Sequence, residues 1–178
     1  LDGDRFQSVT NQIAGLSVPT IAVLTGNVFG GGAELALSCD FRLGREDIVM
    51  RIPASVIGLC YPVAGIERLT SRLGVSLARR LLVAAETFSA DDMLTLGLVD
   101  RILPAAQLRA EAALYAESLL GLAPMAVTSM LTIIRQLEEG ALDRKTAAGL
   151  VNACSESQDV QEGILAQREK RAANFKNR

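Results

Sequence analysis

The residues of this chain best suited to chemistry lie close together, in Gly26-Asn27-Val28-Phe29-Gly30-Gly31-Gly32-Ala33-Glu34. Three consecutive glycines let a backbone approach a ligand closely and adopt positive φ. Where a helix follows, its first N–H groups lack partners within the helix, and its positive dipole end points back at the turn. Such an arrangement suits an anion, or an oxygen on which negative charge develops. The alternative is a tight strand-to-helix turn that binds nothing, and local composition does not separate the two. The turn fits neither nucleotide motif. Gly31 is followed by Gly32 and Ala33 instead of Lys and Ser/Thr, and Gly26 to Gly30 lacks the G-x-G-x-x-G spacing. A small developing charge therefore suits it better than a polyphosphate.

Glu34 falls in the first turn of the helix that follows, among Ala33, Leu35, Ala36 and Leu37. It reads either as a helix-start carboxylate favoured by the dipole or as a general acid/base facing the same pocket as the glycines. Apolar neighbours would raise its pKa and the dipole would lower it. The chain has no histidine among its 178 residues, so Ser-His-Asp and Cys-His sites and His-ligated metals have no place in it. Three scattered cysteines, Cys39, Cys60 and Cys154, form neither a disulfide framework nor a zinc motif. They point to a reducing compartment, with the cytoplasm as the expected location. A net charge of −2 provides no footprint for nucleic acid or anionic lipid. The longest apolar runs are too short to span a bilayer.

The elements that must position these residues alternate at first. Phe6, Val9, Ile13 and Leu16 have helical spacing. Residues 20–25 read as a buried strand feeding the glycine turn, and Ala33–Cys39 as a short helix. Strands are expected at 41–43 and 48–52, then an irregular loop from Pro53 to Pro62. Helices at 64–73 and 76–86 are separated by Gly74. Ser89, with Asp92 three residues on, has capping-box spacing, and 98–103 is the last strand. Beyond Pro104 only helices are expected, at 105–120, 124–139, 141–157 and 159–172. The division is thus an α/β layered part, 1–104, and a helical part, 105–178.

The ordered series Pro19-Thr20-Ile21-Ala22-Val23-Leu24-Thr25-Gly26, Gly30 to Ala36 and Cys39-Asp40 closely resembles the central signature of the crotonase (enoyl-CoA hydratase/isomerase) family. Pro53, Gly58, Gly65, Arg68-Leu69, Ser89-Ala90, Gly97-Leu98-Val99 and the tail from Glu169 to Lys176 continue the likeness over nearly the whole chain. The resemblance implies a spiral of β-β-α units followed by C-terminal helices that build trimers, often paired into hexamers. It also implies an enzyme acting on acyl-CoA thioesters, with coenzyme A entering as part of the substrate and no separate metal or redox cofactor.

Residue by residue, the resemblance puts one oxyanion-hole donor at Gly31 and the first catalytic glutamate at Glu34, flanked by Gly30 and Gly32. The other oxyanion donor would lie upstream of this chain, which looks like a piece lacking the first β-β-α units. The family's second glutamate falls on Ala54. The resemblance thus implies an enoyl-CoA hydratase/isomerase-type enzyme; because loss of one acid/base group lowers a rate by roughly 10²–10⁴, the alternative to hydration is a reaction needing one carboxylate: double-bond shift, decarboxylation, dehydration or thioester cleavage. A non-catalytic CoA-binding scaffold is a further alternative. Tyr61 and Cys60 lie in the same loop, as substitutes or as core packing. Lys170 matches a tail lysine that reaches CoA phosphate, or is a solvated charge. Gln167 stands where relatives often have an aromatic residue. Glu67, Arg68 and Arg72 are expected to be surface charges.

Overall fold

The computed structural model describes residues 3–177. The first compact unit comprises residues up to Leu16 together with Thr20–Ala112, and the second comprises Ser17–Pro19 with Ala113–Arg178. In the first unit, helix α1 (Gly3–Ala14) precedes strand β1 (Ile21–Leu24), β2 (Val28–Phe29), helix α2 (Gly31–Ser38), β3 (Phe41–Arg45) and β4 (Met50–Arg51). A 3-10 turn at Ser55–Ile57, α3 (Val63–Leu82), α4 (Ala90–Thr95) and β5 (Arg101–Leu103) follow.

All strand pairing in the two sheets is parallel. One sheet has the order β1-β3-β5, with Ile21 opposite Phe41 and Leu43 opposite Arg101. The other pairs β2 with β4, Val28 opposite Met50. Parallel neighbours require crossover connections, and α2 provides the one between β1 and β3. Two aspartates pin the register. Asp40 Oδ2 accepts from the Thr20 N–H at 2.8 Å and its hydroxyl at 2.7 Å, and Asp100 Oδ2 accepts from the Arg42 N–H at 2.7 Å.

The sequence expectation of a buried strand at 20–25 needs correction. Only Leu24 is buried in β1, and Val23 is 37% exposed. Among the described residues β1 lies at the edge of its sheet and pairs with β3 on one side only. The glycine turn also contains a strand: β2 lies inside it, and Gly30 N–H donates to Arg51 O at 2.9 Å. Gly74 breaks α3 as anticipated, with φ 77° and ψ 158°. Ser89 and Asp92 form the reciprocal capping box that starts α4. Leu37, Leu43, Met50, Ile52, Leu69, Leu81, Phe88, Met93 and Leu98 are among the large side chains of the core, all under 2% exposed.

Helix α1 is rotated from the face its apolar spacing indicates, with Phe6 and Ile13 of that series half-buried. Val9 is 47% exposed and Leu16 44%, while Thr10 is fully buried. The inward residues are Phe6, Gln7 and Thr10, which meet α2. Polar groups face inward there because a buried charge on α2 requires donors.

The helical part runs through α5 (Leu108–Leu120), α6 (Pro124–Glu138), α7 (Arg144–Ser155) and α8 (Gln158–Glu169). In the second unit α6 packs on α7 and α7 on α8. Asp143 caps α7 and Ser157 caps α8. The tail folds back along α8. Asp159 accepts the N–H groups of Lys176 and Asn177 at 2.7 and 2.8 Å, and Glu162 pairs with Arg171 at 2.6 Å. No single helix among the described residues is long and apolar enough to cross a membrane.

Candidate active site

Gly30 turns the chain from β2 into α2. Its φ of 52° is a left-handed value that favours glycine, and its carbonyl accepts the N–H groups of Ala33 and Glu34. With its own N–H given to Arg51, Gly30 serves the turn and has no amide to offer a ligand. Gly31 and Gly32 open the helix, and both are exposed. First-turn amides have no helical acceptor, so these N–H groups are the donors the helix start makes available. A Cβ at Gly31 would meet the Phe6 ring at 3.0 Å, while one at Gly32 would find nothing nearer than Val28 at 3.9 Å. A side chain at 31 would press on the Phe6 ring, which would have to shift by a few tenths of an ångström to admit it.

One turn into α2, Glu34 is fully buried. A charge removed from water must be paired and hydrogen-bonded, and the structure meets that demand from two helices and a loop. Arg68 Nη1 of α3 donates to Oε1 at 2.8 Å, and Gln7 Nε2 of α1 donates to the same oxygen at 3.0 Å. Thr10 lies 3.5 Å from Oε1, but its hydroxyl has a nearer acceptor in Gln7 O at 3.1 Å. Tyr61 OH donates to Oε2 at 2.6 Å. Arg68 also reaches Asn11 Oδ1 with Nη2. Burial first, and the contact with the Glu34 carboxylate second, hold the Tyr61 phenol far above its ordinary pKa; it remains protonated and a donor.

Three residues of this cluster escape a reading of the sequence. Gln7 and Thr10 lie in a helix whose apolar spacing points elsewhere. Arg68, expected at the surface, has a side chain only 10% exposed, and Arg72 donates to Leu37 O at 2.8 Å. Glu67 is exposed, as expected. The available signal was position: Arg68 is three residues beyond Gly65 and Arg72 three beyond Leu69, the two buried residues of that stripe. Gly65 is the fourth missed residue. A Cβ there would lie 2.7 Å from the Tyr61 ring and 3.1 Å from Glu34 Oε1, so the absence of a side chain lets the phenol reach the carboxylate.

Ala54 is 6% exposed and belongs to the hydrophobic core cluster. Its carbonyl accepts from Ile57 and Leu59 N–H at 3.2 and 2.9 Å, which closes the loop after Pro53. Cys60 is exposed while its neighbour Tyr61 turns inward. In the second unit, Lys170 ends α8 with φ 53°, its side chain exposed, and Gln167 is exposed as well.

The chain is similar to known proteins over nearly its whole length. A family model described as "Enoyl-CoA hydratase/isomerase" matches residues 3–178. Crotonyl-CoA hydratase of Syntrophomonas wolfei is 31% identical over 97% of the chain and 67% of its own length. Human mitochondrial enoyl-CoA hydratase domain-containing protein 2 is 33% identical over 96% of the chain, which spans 61% of that protein. For mouse mitochondrial methylglutaconyl-CoA hydratase the figures are 32%, 97% and 57%. Among solved structures, an enoyl-CoA hydratase/isomerase family protein from Hyphomonas neptunium superposes with a TM-score of 0.88 at 28% identity, over 99% of this chain and 68% of that one. Enoyl-CoA hydratase from Bacillus anthracis gives 0.84 at 28% identity, over 98% and 69%. The fold is therefore the crotonase fold, and the chain belongs to the enoyl-CoA hydratase/isomerase family.

Proposed function

We propose that this chain is part of an enoyl-CoA hydratase/isomerase-type enzyme that acts on acyl-CoA thioesters with a single catalytic carboxylate. The observation that carries the reading is the helix start of α2, where Gly31, an exposed residue, and the Glu34 carboxylate sit one turn apart. The Gly31 N–H donates to the thioester oxygen, where the helix dipole adds to the stabilisation of developing charge. Glu34 moves a proton to or from a carbon near the thioester. Ala54 brings no second carboxylate to grip a water molecule, so reactions with one proton carrier, such as a double-bond shift, fit better than hydration. Gly32 flanks the bound ester. Tyr61 supports the carboxylate, and Lys170 meets CoA phosphate from a neighbouring subunit of a trimer or hexamer.

Replacing Glu34 by Gln in the intact protein tests this. Turnover of crotonyl-CoA and of a 3-enoyl-CoA should fall by roughly 10²–10⁴ while acyl-CoA affinity is kept. Full turnover by the variant rejects the role of Glu34. A second reading, a CoA-binding scaffold without catalysis, is favoured by the fully buried and heavily hydrogen-bonded state of Glu34. Tight acyl-CoA binding with no turnover of any substrate in the unmodified protein would establish that reading instead.

A further inference from the structure

The donors around Glu34 divide its two oxygens unequally. A carboxylate oxygen accepts about two hydrogen bonds. Oε1 receives Arg68 Nη1 at 2.8 Å and Gln7 Nε2 at 3.0 Å, which fills it. Oε2 receives Tyr61 OH at 2.6 Å, its single donor among the described residues, so it retains an unused lone pair. Arg68 is itself braced, because its second nitrogen is bonded to Asn11 Oδ1 on α1. The guanidinium therefore ties α1, α2 and α3 together at one carboxylate.

Building on the reading that Glu34 is the proton carrier, we infer that Arg68 is a positioning residue for the reaction. It occupies Oε1, fixes the plane of the carboxylate and leaves Oε2 as the oxygen that exchanges the proton. In the step this serves, a C–H bond next to the thioester breaks and its proton goes to Oε2. The electron pair forms a C=C bond as charge passes to the thioester oxygen, and return of the same proton to a carbon restores the carboxylate. Tyr61, donating to the same Oε2, steadies it before the transfer. A planar two-armed group is suited to this task and an ammonium is not, because only the fork holds Oε1 and Asn11 together.

The test is steady-state kinetics with crotonyl-CoA and a 3-enoyl-CoA on Arg68→Met, Arg68→Lys and, as a control on the same helix, Arg72→Met. Misplacing a reacting group by about 1 Å lowers a rate by about 100-fold, so that loss in kcat is expected for Arg68→Met, with KM within about twofold. Arg68→Lys should recover part of the loss, to about tenfold below the unmodified protein. Arg72→Met should retain kcat. If Arg68→Met does not fold, Arg68→Lys decides, since it keeps the charge a buried carboxylate requires. Unmodified kcat in Arg68→Lys, or a loss carried by KM, overturns the inference. The reading beneath fails separately: full turnover by Glu34→Gln removes both, whereas an inactive Glu34→Gln beside fully active Arg68 variants removes this inference alone.

Discussion

Glu34 marks the residue-scale tension in this protein. Its place at a helix start satisfies the macrodipole, yet its full burial demands partners supplied from far along the chain. Gln7 and Tyr61 are each 27 residues away and Arg68 is 34. Glu34 was legible because a glycine turn before a helix is a local pattern. Its partners were not, because no local rule says which polar residue of another helix faces inward. The phenol of Tyr61 yields a pH prediction. The folded protein retains the Tyr61 proton above the pH, about 10, at which an unfolded tyrosine loses it. The unfolded state then binds fewer protons, so the Tyr61 contribution to stability is complete below pH about 10 and declines as pH rises beyond it. Thermal melts across pH 9–11 should show a steeper alkaline loss for the unmodified protein than for Tyr61→Phe. Equal slopes would contradict the burial of that hydroxyl.

At the scale of elements, two sites separate legible from illegible structure. The capping box at Ser89 was readable because Ser, two residues and Asp is a local signature, and both reciprocal bonds are present. Ser89→Ala should lower stability by about 1 kcal/mol in denaturant unfolding, with a smaller loss weakening the claim that the cap holds α4. Gly65 is the opposite case. In an exposed helix Gly→Ala gains about 1 kcal/mol, but here the added methyl would lie 2.7 Å from the Tyr61 ring. Overpacking of this kind costs about 1–3 kcal/mol, so Gly65→Ala should be neutral to destabilising and should displace Tyr61 from Glu34. A raised melting temperature would show that the ring yields at little cost. The glycine is needed for what lies beside it, a fact absent from its own neighbourhood in sequence.

At the scale of the whole molecule, the C-terminal helices carry large apolar side chains in the open. In α5 and α6, Leu114, Leu120, Met130, Ile134 and Leu137 are between 51% and 83% exposed. Surfaces of this kind mark interaction sites, and repeated copies of one chain assemble symmetrically. Light scattering should find the intact protein as a trimer or hexamer, and Ile134→Glu with Leu137→Glu should shift it toward smaller species. A monomer before substitution would assign those residues another role.

What the amino-acid order determined by itself was local or serial: the helix and strand alternation, the break at Gly74, the capping box and the sequence of motifs that carries the family likeness. Each depends on periodicity, turn chemistry or spacing along the chain. Only the tertiary structure decided which way the elements face. It turned Thr10 inward and Val9 outward, left β1 half uncovered at a sheet edge, and drew Arg68 from an expected surface position into a buried ion pair. The reason is that a desolvated carboxylate must gather donors from wherever the packed chain brings them, and long-range packing is not written in any short stretch of sequence.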